Sequence, residues 1–311
     1  MSQDPLFILA PPRSFTSVVC GMIGQHPELY GLPEVNLFAA DSYADLGETL
    51  YKMRPGFRHG LLRTIAELGL GEQTDVNIEV AKDWLEEHEA VDSGELYKDL
   101  VEWVGDRRLI DKSPIYVYSD DNLQRIAKAF PNARYIHLAR HPRPTCESIY
   151  SLREVVREGI ENMRGGEKIR ERARQRQEKL ASIEDPESLW LEPHTRIQAF
   201  LQDIPQDRWK FIRGEEFMTH PDKYLAIIAK WLGVSQSTEA LEAMKHPEQS
   251  PFASLGPPRA KYGNDPSFLE SPALREYKPK DYSLDGELDG GEPGRYLSDK
   301  VKECANKFGY H

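Results

Sequence analysis

The chain has 311 residues, of which 39% are hydrophobic, 29% charged and 10% aromatic, enough apolar content to bury a core without metals or disulfides. Lys plus Arg number 40 against 51 Asp plus Glu, a formal charge of -11, which argues against generic adhesion to nucleic acid or anionic lipid and leaves any anionic ligand to a local basic cluster. Cys20, Cys146 and Cys304 are odd in number and far apart, so they make neither a disulfide framework nor a zinc set, and a reducing cytoplasmic setting is expected. No stretch approaches the roughly 18 apolar residues of a membrane span, and Met1 to Pro5 lacks the pattern of an export signal.

In chain order, Leu6 to Ala10 is a short apolar run, followed by the polar stretch Pro11 to Ser17 and a helical segment from Val18 to Ile23, which predicts strand, loop, helix. Residues 38 to 104 are mainly helical in pattern, with Asp92-Ser93 as a cap. Arg108-Leu109-Ile110 leads into Asp111-Lys112-Ser113-Pro114 and a helix over about 120–130, ended by Pro131-Asn132. Tyr135 to Ala139 predicts a further strand, followed by Arg140-His141-Pro142 and a helix bearing Ser148. Strands separated by helices imply parallel crossovers, hence an α/β fold with a central, mostly parallel sheet. Residues 153–179 are dense in Arg and Glu; they read as a solvated helix pair or as a mobile lid. Amphipathic 190–201, strand-like 209–213 and helical 224–232 complete the core, and 296–308 predicts a terminal helix. The even spread of apolar segments favours one domain, 1–311, with helical insertions.

A strand that ends in a polar loop and opens a helix presents unpaired N–H groups and a positive dipole end to an anion. Arg13, Ser14, Thr16 and Ser17 add charge and hydroxyls there, although Ser and Thr also cap helices for structural reasons alone. A Walker loop needs Gly-Lys-Ser/Thr at this point, and the sequence has none, which disfavours an ATP or GTP phosphotransferase. A second element follows β-like 135–139: Arg140, then Ser148. His137 and His141 stand four apart, but the strand and Pro142 remove the helical geometry that would bring both to one metal, so no metal site is expected.

On Pro-Arg-Ser-x-Thr-Ser at 12–17 with Arg140 and Ser148, the chain resembles the sulfotransferases that use 3'-phosphoadenosine 5'-phosphosulfate (PAPS). Further likeness lies in Phe211 to Phe217, Ile227 to Gly233 and Phe308-Gly309-Tyr310. The resemblance implies a P-loop-like sulfotransferase fold, with Arg13, Ser14, Phe15, Thr16 and Ser17 as the 5'-phosphosulfate loop and Arg140 with Ser148 as the 3'-phosphate site. Phe15 stands where that loop commonly has Gly, a place a Phe fits if its backbone is ordinary. The family's adenine-stacking tryptophan has no match in the first loop.

The same resemblance places Lys112, in Asp-Lys-Ser-Pro, beside the oxygen that bridges sulfate and phosphate, where a cation balances charge on the leaving group; the bland reading is a lysine in a turn. Glu34, in Gly31 to Phe38, falls where glycan and tyrosylprotein sulfotransferases carry a catalytic glutamate. A lone Glu is more usually a solvated residue. His194 is the rival base, since an imidazole collects a proton near neutral pH without a large shift; its bland reading is a structural, capping or surface histidine. Arg259 and Lys261 resemble a late basic loop that closes over the 3'-phosphate, or are ordinary surface residues. Within the family the likeness is greatest to the sulfotransferase domains of cyanobacterial olefin-synthase and curacin polyketide synthases. That likeness implies a domain excised from such a synthase, sulfating the β-hydroxyl of an acyl chain on an acyl carrier protein so that a downstream thioesterase can eliminate it to a terminal alkene. A glycan, tyrosine or small-molecule hydroxyl as acceptor, and an inactive nucleotide-binding module, are the alternatives.

Overall fold

The strand β1 (Leu6–Leu9) is buried along its whole length. Its side chains alternate between two cores: Phe7 and Leu9 face one layer of helices, Leu6 and Ile8 the other, as expected of a central parallel strand covered on both faces. The computed structural model that shows this describes residues 4–52, 54–162, 185–290 and 294–311, with Glu167, Arg170, Glu171 and Arg174.

Around β1 lie β2 (Leu29–Gly31), β3 (Arg108–Asp111), β4 (Arg134–Ala139) and β5 (Trp209–Arg213). All pair in parallel, in the order β2-β3-β1-β4-β5. The chain leaves β1 towards one edge and later returns to build the other, so a crevice opens at the carboxyl ends of β3, β1 and β4. In open α/β sheets that switch point is where ligands bind. The edge strand β2 escapes sequence reading because it spans only Leu29–Gly31, too short to show alternation.

The helices that bear on the site are α1 (Thr16–Gly24), α2 (His59–Leu70), α3 (Asp75–Glu87), α4 (Ser93–Trp103), α5 (Asp120–Ala129), α6 (Pro142–Glu161), α7 (Pro186–Gln202), α8 (Gly214–Thr219), α9 (Pro221–Leu232), α10 (Pro266–Glu270) and α11 (Asp299–Lys307). Asp92 caps α4 by accepting from the Gly94 N–H at 2.8 Å, as its sequence position predicts. Phe7 anchors the first core, its ring 5.9 Å from that of Phe38 and 5.8 Å from that of Tyr97; such aromatic pairs add to plain burial. The expected lid at 153–179 begins in α6; most of it beyond Glu161 lies outside the described residues. Among the described residues no helix is long and apolar enough to cross a membrane, and no three His, Cys, Asp or Glu side chains gather as a metal site.

Candidate active site

The loop from β1 to α1 turns through two left-handed residues, Arg13 at φ 68° and Phe15 at φ 63°. Phe15 therefore does not have the ordinary backbone on which its fit was expected to depend; a non-glycine residue there carries strain of about 1–2 kcal/mol. Its ring supplies compensation, stacking edge-on to Tyr277 at 5.7 Å and lying 4.7 Å beneath the Arg140 guanidinium. Gly214 makes the room: a Cβ on it would stand 2.5 Å from the Phe15 ring. Phe15 is the N-cap of α1 and gives no side-chain cap, so the first N–H groups of the helix are left for an external acceptor.

Arg13, Ser14, Thr16, Ser17 and Arg140 line one cavity of about 250 Å³. The Arg140 guanidinium donates to the Arg13 carbonyl at 2.8 Å, and Arg13 Nε donates to Ser148 Oγ at 3.0 Å. The two arginine sets, 127 positions apart in sequence, are thus brought to a common cleft. Ser14 Oγ and Arg140 Nε are buried in it without a hydrogen-bond partner. Unpaired buried polar atoms of this kind are rare and point to a ligand that completes them.

Arg140 is fixed from behind. The Trp190 indole N–H donates to the Arg140 carbonyl at 2.8 Å, and the His141 N–H donates to Glu215 Oε1 at 2.8 Å. The Tyr310 hydroxyl donates to the other oxygen of Glu215 at 2.9 Å. The segments at 211–217 and 308–310 therefore meet behind the arginine.

On the other side of β1, the Lys112 ammonium is wholly buried at the end of β3 and donates to Ser17 Oγ and Glu34 Oε1, each at 2.9 Å. One cation thus joins the anion loop to the candidate base. A hydrogen-bond relay holds this geometry: Ser113 Oγ donates to Asp111 Oδ1 at 2.8 Å and accepts the Asn36 N–H at 3.0 Å, and the Tyr116 hydroxyl donates to Asp111 Oδ2 at 2.9 Å. Burial pushes the Asp111 carboxyl up to about 6 against these donors. Gly60, opening α2, lets the Glu34 carbonyl lie where a Cβ would come within 2.0 Å.

Three expected site residues are not brought here. His194 is fully buried on the flank of β4, its Nδ1 2.8 Å from His137 Nε2, with its ring against Trp190 and Phe308. Burial, followed by the neighbouring His137, pulls its pKa well below 6.5, and neither it nor Glu34 lines the cavity that holds Arg13. Arg259 pairs with Glu79 of α3 at 2.7 Å, which holds it on the surface. Lys261 lies 5.7 Å from the Tyr262 ring and is exposed, likewise outside the cavity that holds Arg13. A helix acid and an aromatic neighbour captured these two cations. What the sequence reading missed is Asp265, which lines the cavity and pairs with Arg13; an isolated acid in a loop carries no local signal.

An α/β protein with an anion cradle at the switch point of a parallel sheet, and a cation-linked carboxylate beside it, is the class that fold and site define. The model of the Sulfotransferase family matches residues 5–238, and the chain belongs to that family: it is a sulfotransferase. Among solved structures, the sulfotransferase domain from the curacin biosynthetic pathway aligns with a TM-score of 0.67 at 20% identity, covering 99% of this chain and 98% of that one. The sulfotransferase domain from the Synechococcus PCC 7002 olefin synthase aligns with a TM-score of 0.70 at 23% identity, covering 99% and 95%. No curated protein matches the sequence significantly.

Proposed function

We propose that this sulfotransferase moves a sulfuryl group from PAPS to the β-hydroxyl of an acyl chain tethered to an acyl carrier protein, as a single domain, 1–311, of a polyketide synthase. The observation that carries the chemistry is the Lys112 ammonium held between Ser17 of the anion loop and Glu34. The carrier-bound acceptor rests on the likeness of the whole chain to the curacin and olefin-synthase domains.

When bound, the donor supplies the sulfuryl group and departs as adenosine 3',5'-bisphosphate. In this reading Arg13, Ser14, Phe15, Thr16 and Ser17 hold its 5' end through loop N–H groups and hydroxyls, and Arg140 with Ser148 grips the 3'-phosphate. Such charge-assisted contacts are the strong ones. Lys112 has three donors; two are engaged by Ser17 and Glu34, and the third is free to balance charge on the leaving phosphate. Glu34 takes the proton of the acceptor hydroxyl as the nucleophile forms. A thioesterase acting on the sulfated product, with sulfate as leaving group, is the expected next step.

The deciding experiment is intact-mass analysis of a 3-hydroxyacyl carrier protein incubated with the enzyme and PAPS. A gain of one SO3 on that carrier, absent with free sugars and phenols, is the expected result. Sulfation of the free sugars or phenols alone would overturn the acceptor, and no transfer to any of them would point to an inactive nucleotide-binding module.

A further inference from the structure

Asp265 stands where an anion site should exclude it. Its carboxylate pairs with Arg13 across 252 positions of sequence, and its backbone N–H donates to Ser17 Oγ at 3.3 Å. It therefore touches the charged side chain at one end of the loop and the hydroxyl at the other. Both side chains of the ion pair are only about a quarter exposed, at 27% and 25%, unlike the open helix-surface pair of Lys52 and Glu48 at 70% and 81%. The cavity it enters holds the unpartnered Ser14 Oγ and the uncapped start of α1.

We propose that Asp265 is an internal counterpart of the donor's anionic end: its carboxylate holds Arg13 until a phosphate or sulfate oxygen replaces it, so this residue sets the affinity for donor and nucleotide product. The inference rests on reading the first loop as the donor's anion site. An aspartate and a polyanion cannot share one guanidinium at contact distance without strong like-charge repulsion, and a binding-competent state that is only partly populated raises the apparent Kd in proportion. The backbone beside Asp265 is held in place, the Gly263 carbonyl accepting the Glu34 N–H at 2.7 Å and Asn264 Nδ2 donating to the Phe252 carbonyl at 3.0 Å, so the exchange of partners at Arg13 is one of side chains. Re-formation of the pair after transfer favours release of adenosine 3',5'-bisphosphate.

The test is calorimetric binding of adenosine 3',5'-bisphosphate to the wild type, Asp265→Asn, Arg13→Ala and the double variant. Asn is a sound replacement because Asp265 also caps α10, accepting from the Ser267 N–H at 2.9 Å, and an amide oxygen keeps that role; Asp265→Ser serves if Asn fails to fold. Affinity should rise about tenfold in Asp265→Asn, and the gain should vanish when Arg13 is already absent. Unchanged or weaker binding by Asp265→Asn, with Arg13→Ala still impaired, overturns the proposal and leaves the anion site standing. Equal binding by Arg13→Ala and wild type removes the anion-loop reading itself, and this inference with it.

Discussion

Replacing Glu34 by Gln separates the two tasks assigned to that carboxylate. The wild-type side chain is 26% exposed and accepts from an ammonium that is fully buried. Breaking a fully buried pair destabilises by about 3–5 kcal/mol. Partial exposure of the carboxylate screens the loss, and the Gln carbonyl oxygen still accepts from Lys112, so a net cost of about 1–2 kcal/mol is expected. For a chain of this size that lowers Tm by roughly 2–6 °C, leaving the variant folded at assay temperature. Turnover should fall far more, by about 10²–10⁴-fold, because an amide takes no proton. Nucleotide affinity should hold or improve, since the substitution removes a negative charge from beside a polyanion site. Initial rates on a carrier-bound 3-hydroxyacyl substrate at saturating PAPS, with calorimetry and a melting curve on the same preparation, read all three. A folded Glu34→Gln enzyme whose turnover stays within about threefold of wild type refutes the assignment of Glu34 as base.

Arg140→Ala removes a guanidinium that touches the Arg13 carbonyl and the Phe15 ring; affinity for adenosine 3',5'-bisphosphate should fall at least about tenfold, the loss of a charge-assisted contact, and unchanged calorimetric affinity would count against the two-anchor cleft. Gly214→Ala drives a methyl into the Phe15 ring; overpacking of about 1–3 kcal/mol should lower both Tm and nucleotide affinity, and a variant equal to wild type in both would show that Phe15 does not seat Arg140. His194→Gln should lower stability yet leave turnover per folded molecule intact, whereas lost turnover with intact folding and nucleotide binding would restore the histidine as base. Acid should destabilise the fold: burial pushes His137 down to about 3, burial with Arg143 pushes His141 down to about 4, and His194 is also depressed. Below about 6.5 the unfolded chain binds protons on these groups that the folded chain does not, so stability is lost as pH falls, by about 1.4 kcal/mol per pH unit for each histidine. Asp111, raised to about 6, opposes this with one proton between about 4 and 6. Urea unfolding at pH 7 and pH 5 checks the sign, and equal stability at the two would refute it.

Local patterns sufficed where the physics is local. The loop from Arg13 to Ser17 was legible because a strand end, a polar turn and a helix start are consecutive in the chain, and β1, β3 and β4 were legible because parallel strands buried on both faces leave short apolar runs; β5, an edge strand that is mostly only partly buried, showed only as the strand-like stretch 209–213. Lys112 and Glu34 could be picked out as residues, but their meeting at 2.9 Å follows from β2 and β3 lying side by side, and β2 is too short to announce itself. The surroundings of Arg259 and His194 were not legible for the same underlying reason. Whether a cation grips a ligand or a helix acid such as Glu79, and whether an imidazole faces a cleft or packs beneath Trp190 and Phe308, depends on which distant surfaces touch.

Composition, the alternation of strands and helices in outline and the two arginine-bearing loops are thus properties of the chain itself, since each follows from neighbouring residues and their periodicity. The pairing of Arg13 with Asp265, the bridge from Ser17 through Lys112 to Glu34, and the burial of His194 belong to the folded molecule alone. Each is a contact between segments far apart in the chain, and no local pattern encodes the partner that long-range packing supplies.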